Sequence, residues 1–163
     1  MNRDELRAAQ APIKERYREV PSEALITLQA EGDLGRDLTC SVQTGRAMVE
    51  AGLHPATGGD GSAACSGDML LQALVACAGV TLRSVATSLQ IAVTGTVRAE
   101  GDLDFRGTLG VDKQAPVGFT DIRLSFDIES DADQEQLDTL LRLTERYCVV
   151  LQTLVHPPVV AIV

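Results

Sequence analysis

Apolar residues recur at two different periods along the chain, and the changes of period mark its elements. Ile122, Leu124, Phe126 and Ile128 alternate with Arg123, Ser125, Asp127 and Glu129, which predicts an antiparallel strand with one buried face. Leu137, Leu141, Thr144, Cys148 and Leu151 recur instead at steps of four and three, predicting a helix that begins near residues 131–133 and carries one apolar stripe through Leu151. Between Ser66 and Leu89 the segment "SGDMLLQALVACAGVTLRSVATSL" is apolar on every side. It predicts a buried helix with Ser66 as N-cap and Cys77 at its middle.

The remaining stretches follow from the same patterning. Residues 2–19 are polar and charged, with Asp4 and Glu5 early and Arg16 and Arg18 late, an order that suits a helix dipole; Pro12 should interrupt or restart that helix. The alternating stretches between Ala24 and Gly52 read as three short strands in a meander, with Leu38, Cys40 and Val42 on one core-facing side. "GLHPATGGDGSAA" (52–64) is loop by composition, "IAVTGTVRAEGDLDFRGTLG" (91–110) is a second β region, and "HPPVVAIV" ends in a short apolar strand. Strands then helix, twice over, predict an α+β fold with sheet and helices in separate layers. Residues 1–20 form a helical extension and 21–163 one domain.

Composition narrows the function classes. A chain of 163 residues with 45% hydrophobic and 3% aromatic residues builds its core from Leu, Val, Ile and Ala. A net charge of −9 repels phosphate backbones, so nucleic acid is not an expected partner. The N-terminus has no apolar signal stretch, and Arg83 interrupts the best candidate for a membrane span, so the expectation is a cytoplasmic protein without a membrane partner. Its four cysteines, Cys40, Cys65, Cys77 and Cys148, should then be mostly reduced. None of them forms a C-x-x-C pair, and His54 and His156 stand alone in turn contexts as solvated loop histidines. No metal and no cofactor is therefore expected. "GGDGS" (58–62) lacks the Lys-Ser/Thr pair of a phosphate loop, and Asp102 and Asp104 in "EGDLDF" suit a solvated hairpin. By residue type alone, Cys77 and Cys148 on apolar helix faces fit packing as well as chemistry.

Two motifs add to that reading. "SGDMLLQALVACAGVTL" (66–82) resembles the cysteine-helix signature of the OsmC/Ohr family, the osmotically inducible and organic-hydroperoxide-resistance proteins. "TERYCVV" (144–150), with Glu145 three residues before Cys148, resembles part of that family's second signature, and the order of strands and cysteine helices agrees over about residues 23–163. The resemblance implies an OsmC-like fold of two β regions packed with two cysteine-bearing helices, assembled as an intertwined homodimer. It implies a peroxidase for small organic hydroperoxides, with Cys77 as peroxidatic thiol, Cys148 as resolving thiol and an external dithiol as reductant. An arginine from the early strands would stabilise the thiolate: Arg36 in "GRD" first, Arg46 in "TGRAMVE" second.

This chain also departs from the family pattern. Gly67 occupies the position of the glutamate that orients the arginine; the adjacent Asp68 is the substitute, although one residue on a helix turns a side chain by about 100°. Val149 replaces the proline that follows the second cysteine. Two other roles therefore stay open: a non-enzymatic carrier of a small apolar ligand with unreactive cysteines, and a structural partner in a larger complex.

Overall fold

The computed structural model describes residues 3–34, 40–42, 51–62 and 64–162. Helix α1 (Arg3–Glu19) opens the chain and runs through Pro12 without ending, contrary to the expected interruption. Its docking supplies the reason: Tyr17 is buried and its hydroxyl donates to the Ala56 carbonyl at 2.9 Å, so tertiary contacts outweigh the ladder bond that Pro12 cannot make.

A 3₁₀ turn (Pro21–Ala24) leads into β1 (Leu25–Leu34), which pairs antiparallel with β2 (Cys40–Val42), Gly32 opposite Val42 and Leu34 opposite Cys40. The third strand of the expected meander, β3 (Ala51–Gly52), leaves that sheet. It pairs in parallel with β4 (Ala64–Cys65), Gly52 opposite Cys65, across a connection that holds a second 3₁₀ turn (Pro55–Thr57). Helix α2 occupies Ser66–Leu89, the bounds read from the apolar run.

After α2 come β5 (Thr94–Asp104), the single-turn helix α3 (Phe105–Thr108) and β6 (Phe119–Glu129). The four-stranded sheet has the order β2-β1-β5-β6. The Thr120 hydroxyl donates to the Asp102 carbonyl and that of Ser125 to Arg98, so β5 and β6 run antiparallel. Asp104, expected in a solvated hairpin, is buried instead, because its carboxylate caps α3 through the Arg106 N–H and pairs with the Arg106 guanidinium. That guanidinium holds the Asp104 carboxyl below its ordinary range.

The last helix of the sequence reading is two helices. Helix α4 (Gln134–Tyr147) starts on a capping box, the Asp133 carboxylate accepting from the Gln136 N–H and the Gln136 side chain accepting from the Asp133 N–H. It stops at Cys148, whose backbone is extended (φ −71°, ψ 104°), and α5 (Val149–Val155) begins there. The Gln152 side chain donates to the Glu145 carbonyl at 2.9 Å, the acceptor an unbroken helix would give to the Val149 N–H. Beyond α5 no strand forms among the described residues, and Val159, Val160 and Ile162 are exposed. An apolar strand without a neighbouring edge has no ladder to join.

The chain divides into two compact units. Unit 1 comprises Met1–Gln29, Thr44–Leu71 and Glu100–Arg123, and buries Tyr17, Ala24, Leu71, Leu103, Phe105 and Leu109. Unit 2 comprises Ala30–Gln43, Gln72–Ala99 and Leu124–Val163. Its core joins Leu82 and Ala86 of α2 to Val93 and to Leu140 of α4, with Phe126, Ile128, Leu137 and Leu141 packed around them. By length and composition α2 is apolar enough to cross a bilayer, with a mean hydropathy of 1.6, so Arg83 does not exclude it as a span. Leu71, Leu74, Val75, Ala78, Leu82 and Ala86 are nevertheless buried by protein, the pattern of a core helix.

Candidate active site

Cys77 and Cys148, remote in sequence, meet inside unit 2. Helix α2 presents Cys77 half-buried, between a buried flank of Leu74 and Ala78 and an open flank of Ala73 and Val80. Cys148 reaches it from the α4–α5 break and is fully buried. Neither is in a disulfide.

The environment of Cys148 favours the neutral thiol. Burial pushes it up to about 11; the backbone N–H of Leu151 acts in the other direction, and a hydrogen bond with the Cys77 side chain together with the Cys77 charge adds to the rise. The opposing N–H groups belong to the start of α5 and favour the anion without closing a cap hydrogen bond. Two sulfurs this close do not ionise together.

A groove of about 450 Å³ opens between α2 and α4, lined by Val80, Thr81, Val85, Leu89, Leu143 and Tyr147 among others. Val80 and Thr81 lie one turn beyond Cys77, and Tyr147 directly precedes Cys148. The groove is thus lined by neighbours of both cysteines along the chain, while neither sulfur lines it. Sequence periodicity placed Leu143 off the apolar stripe of its helix, and no signal marked it as groove lining.

The other expected site residues fall elsewhere. Arg36 and Arg46 lie outside the described residues. In unit 1, Asp68 sits in the first turn of α2, so the turn of about 100° from Gly67 stands. Burial raises its carboxyl, and the neighbouring His54 opposes that rise. His54 is not a solvated loop histidine: its ring stacks on Phe105 with centroids 5.1 Å apart, and its Nδ1 accepts from the Ala56 N–H at 3.0 Å. Among the described residues no group of three or more His, Cys, Asp or Glu side chains could hold a metal ion. Val149, at the family's proline position, is exposed at the first turn of α5.

These features define a two-thiol centre at the junction of two helices in an α+β scaffold. The chain belongs to the OsmC-like protein family, whose model matches residues 59–163. Its structure is similar to that of an OsmC-like hydroperoxide resistance protein from Jannaschia sp. CCS1, with a TM-score of 0.57 at 17% identity, covering 84% of this chain and 91% of that one. At that identity the likeness establishes the fold. No curated protein matches the sequence.

Proposed function

We infer that the protein reduces organic hydroperoxides through Cys77 and Cys148, and the observation that carries this reading is the meeting of those two thiols beside an apolar groove. The Cys77 thiolate attacks the terminal oxygen of R–O–OH; the O–O bond breaks, the alkoxide takes up a proton and leaves as alcohol, and Cys77 becomes a sulfenic acid. Cys148 then attacks the oxidised sulfur, water leaves, and a Cys77–Cys148 disulfide forms. An external dithiol returns both to thiols by exchange.

The protonated state of Cys148 supports the assignment of the thiol roles. Cys148, pushed up to about 11, stays protonated near neutrality and can donate its S–H toward Cys77, which suits Cys77 as the nucleophile. The guanidinium needed beside the thiolate is assigned to Arg36, with Arg46 second. Asp68, whose described charged neighbour is His54, is retained as the substitute for the missing glutamate. The apolar groove suits the alkyl part of an organic hydroperoxide better than hydrogen peroxide. Val80, Leu89 and Tyr147 remain exposed along it, and a second copy of the chain, the homodimer implied by the family, is proposed to cover them.

The groove also favours a second reading, a carrier of a small apolar ligand whose cysteines only pack. Mixing reduced protein with cumene hydroperoxide separates the two. The peroxidase loses two thiols per chain, Cys77→Ser keeps Cys148 as a free thiol, and Cys148→Ser stops at a sulfenic acid that dimedone traps. Arg36→Ala slows the peroxide step more than Arg46→Ala does. Thiols unchanged by hydroperoxide refute the peroxidase and favour the carrier reading instead.

A further inference from the structure

The break at Cys148 has no covalent cause. Residue 149 is valine and keeps its N–H, and neither proline nor glycine stands between Glu145 and Val155. The i→i−4 ladder is intact up to the Cys148 N–H on the Thr144 carbonyl at 2.9 Å, and the Gln152 N–H resumes it on the Cys148 carbonyl at 2.9 Å. Between those bonds the ladder is given up. The Glu145 carbonyl accepts from Gln152 Nε2 at 2.9 Å instead. The N–H groups of Val150 and Leu151, which an unbroken helix would commit to the Arg146 and Tyr147 carbonyls, turn to the Cys148 side chain.

Two arrangements of the same residues therefore compete. In an unbroken helix the Val149 N–H takes the Glu145 carbonyl, and Gln152 lies about 10 Å beyond Glu145 along the axis with that N–H in between. The bond from the Gln152 side chain to Glu145 exists only where the helix is broken, so its full strength favours the broken form. That form is the one with Cys148 extended (φ −71°, ψ 104°), buried, and in hydrogen-bond contact with Cys77. A proline at 149 would enforce the same break unaided, because it has no N–H and its ring would collide with the Glu145 carbonyl.

We propose that Gln152 is a positioning residue for the thiol pair: by bonding the Glu145 carbonyl, its amide holds the α4–α5 break and keeps Cys148 beside Cys77. The role rests on the pairing of those two cysteines inferred above, but not on their reaction with a peroxide. Gln152 does in this chain, with valine at 149, what a proline there would do through the backbone.

Thiol–disulfide exchange with glutathione tests the role with no hydroperoxide present. As the Cys77–Cys148 bond forms, one glutathione disulfide is reduced to two glutathione thiols. Protein equilibrated across a series of glutathione buffers is quenched in acid and alkylated, and the Cys77–Cys148 cross-link is quantified by peptide mass. Gln152→Met keeps the length of the side chain and removes its donor. It should lower the equilibrium constant for the cross-link by about fivefold, the worth of one hydrogen bond. In a Val149→Pro background, where the break needs no clamp, the same substitution should leave the constant unchanged. A constant indifferent to Gln152→Met, or an equal fall in both backgrounds, would overturn the proposal. Should Gln152→Met not fold by itself, Val149→Pro must restore folding; a double variant that also fails to fold would assign Gln152 to general stability and refute the positioning role. Thiols untouched by cumene hydroperoxide, with the glutathione results as expected, would refute the peroxidase alone.

Discussion

Cys148 should make the fold lose stability in alkali. Burial moves its thiol from an ordinary 9.0 to about 11, so between those values the unfolded chain gives up this proton while the folded protein keeps it. The folded state then binds more protons than the unfolded one, and stability falls as pH rises. The contribution is complete below pH 9 and gone above pH 11. Each pH unit in that window removes about 1.4 kcal/mol, and the side chain is fully buried, so water does little to screen the effect. Urea unfolding of reduced protein at steps from pH 8 to 10.5 would measure it, with Cys148→Ala as the comparison. The substitution costs a fixed amount of packing at every pH, but it also removes the titration. The stability gap between the two proteins should therefore shrink by about 1.5 kcal/mol from pH 9 to 10.5. Curves that stay parallel would refute the reasoning, because Cys148 would then titrate alike in both states.

Two substitutions test backbone features around the same unit. Gly95 has φ +130°, and an added Cβ would lie 2.1 Å from the Asp127 carbonyl oxygen of β6; Gly95→Ala should cost about 3 kcal/mol or more, seen as a large fall in Tm, and an unchanged Tm would show that the strand pair yields there. Val149→Pro should stabilise by about 0.5–1 kcal/mol, because Val149 is the first residue of α5 and Cys148 before it is already extended, as a following proline requires. A loss of stability in thermal melts would contradict that placement.

The elements that could be read from the sequence are those in which local pattern and tertiary packing agree. The all-round apolar run set α2 to Ser66–Leu89, the apolar stripe starting beyond residues 131–133 marked α4, and the alternation over Ile122–Ile128 marked β6. The break at Cys148 left no such trace, since neither Gly nor Pro stands there and the lost ladder bond is replaced by a side chain, Gln152. Asp104 looked like a hairpin residue because its partner Arg106 lies in the following turn, and burial of that pair depends on packing that pattern cannot show. His54 was misplaced for the same reason: Phe105 and Tyr17, which fix its turn, come from distant stretches. The two cysteines were singled out by family resemblance, and their meeting in space follows from the fold of unit 2.

The central claim is that Cys77 and Cys148 form one redox unit. Peptide mapping by mass spectrometry, after one equivalent of cumene hydroperoxide is added to the reduced protein and free thiols are alkylated, tests it most directly. The account predicts a Cys77–Cys148 cross-linked peptide within one chain, with Cys65 alkylated. Recovery of both Cys77 and Cys148 in alkylated form, or a disulfide that joins either of them to Cys65, would contradict it.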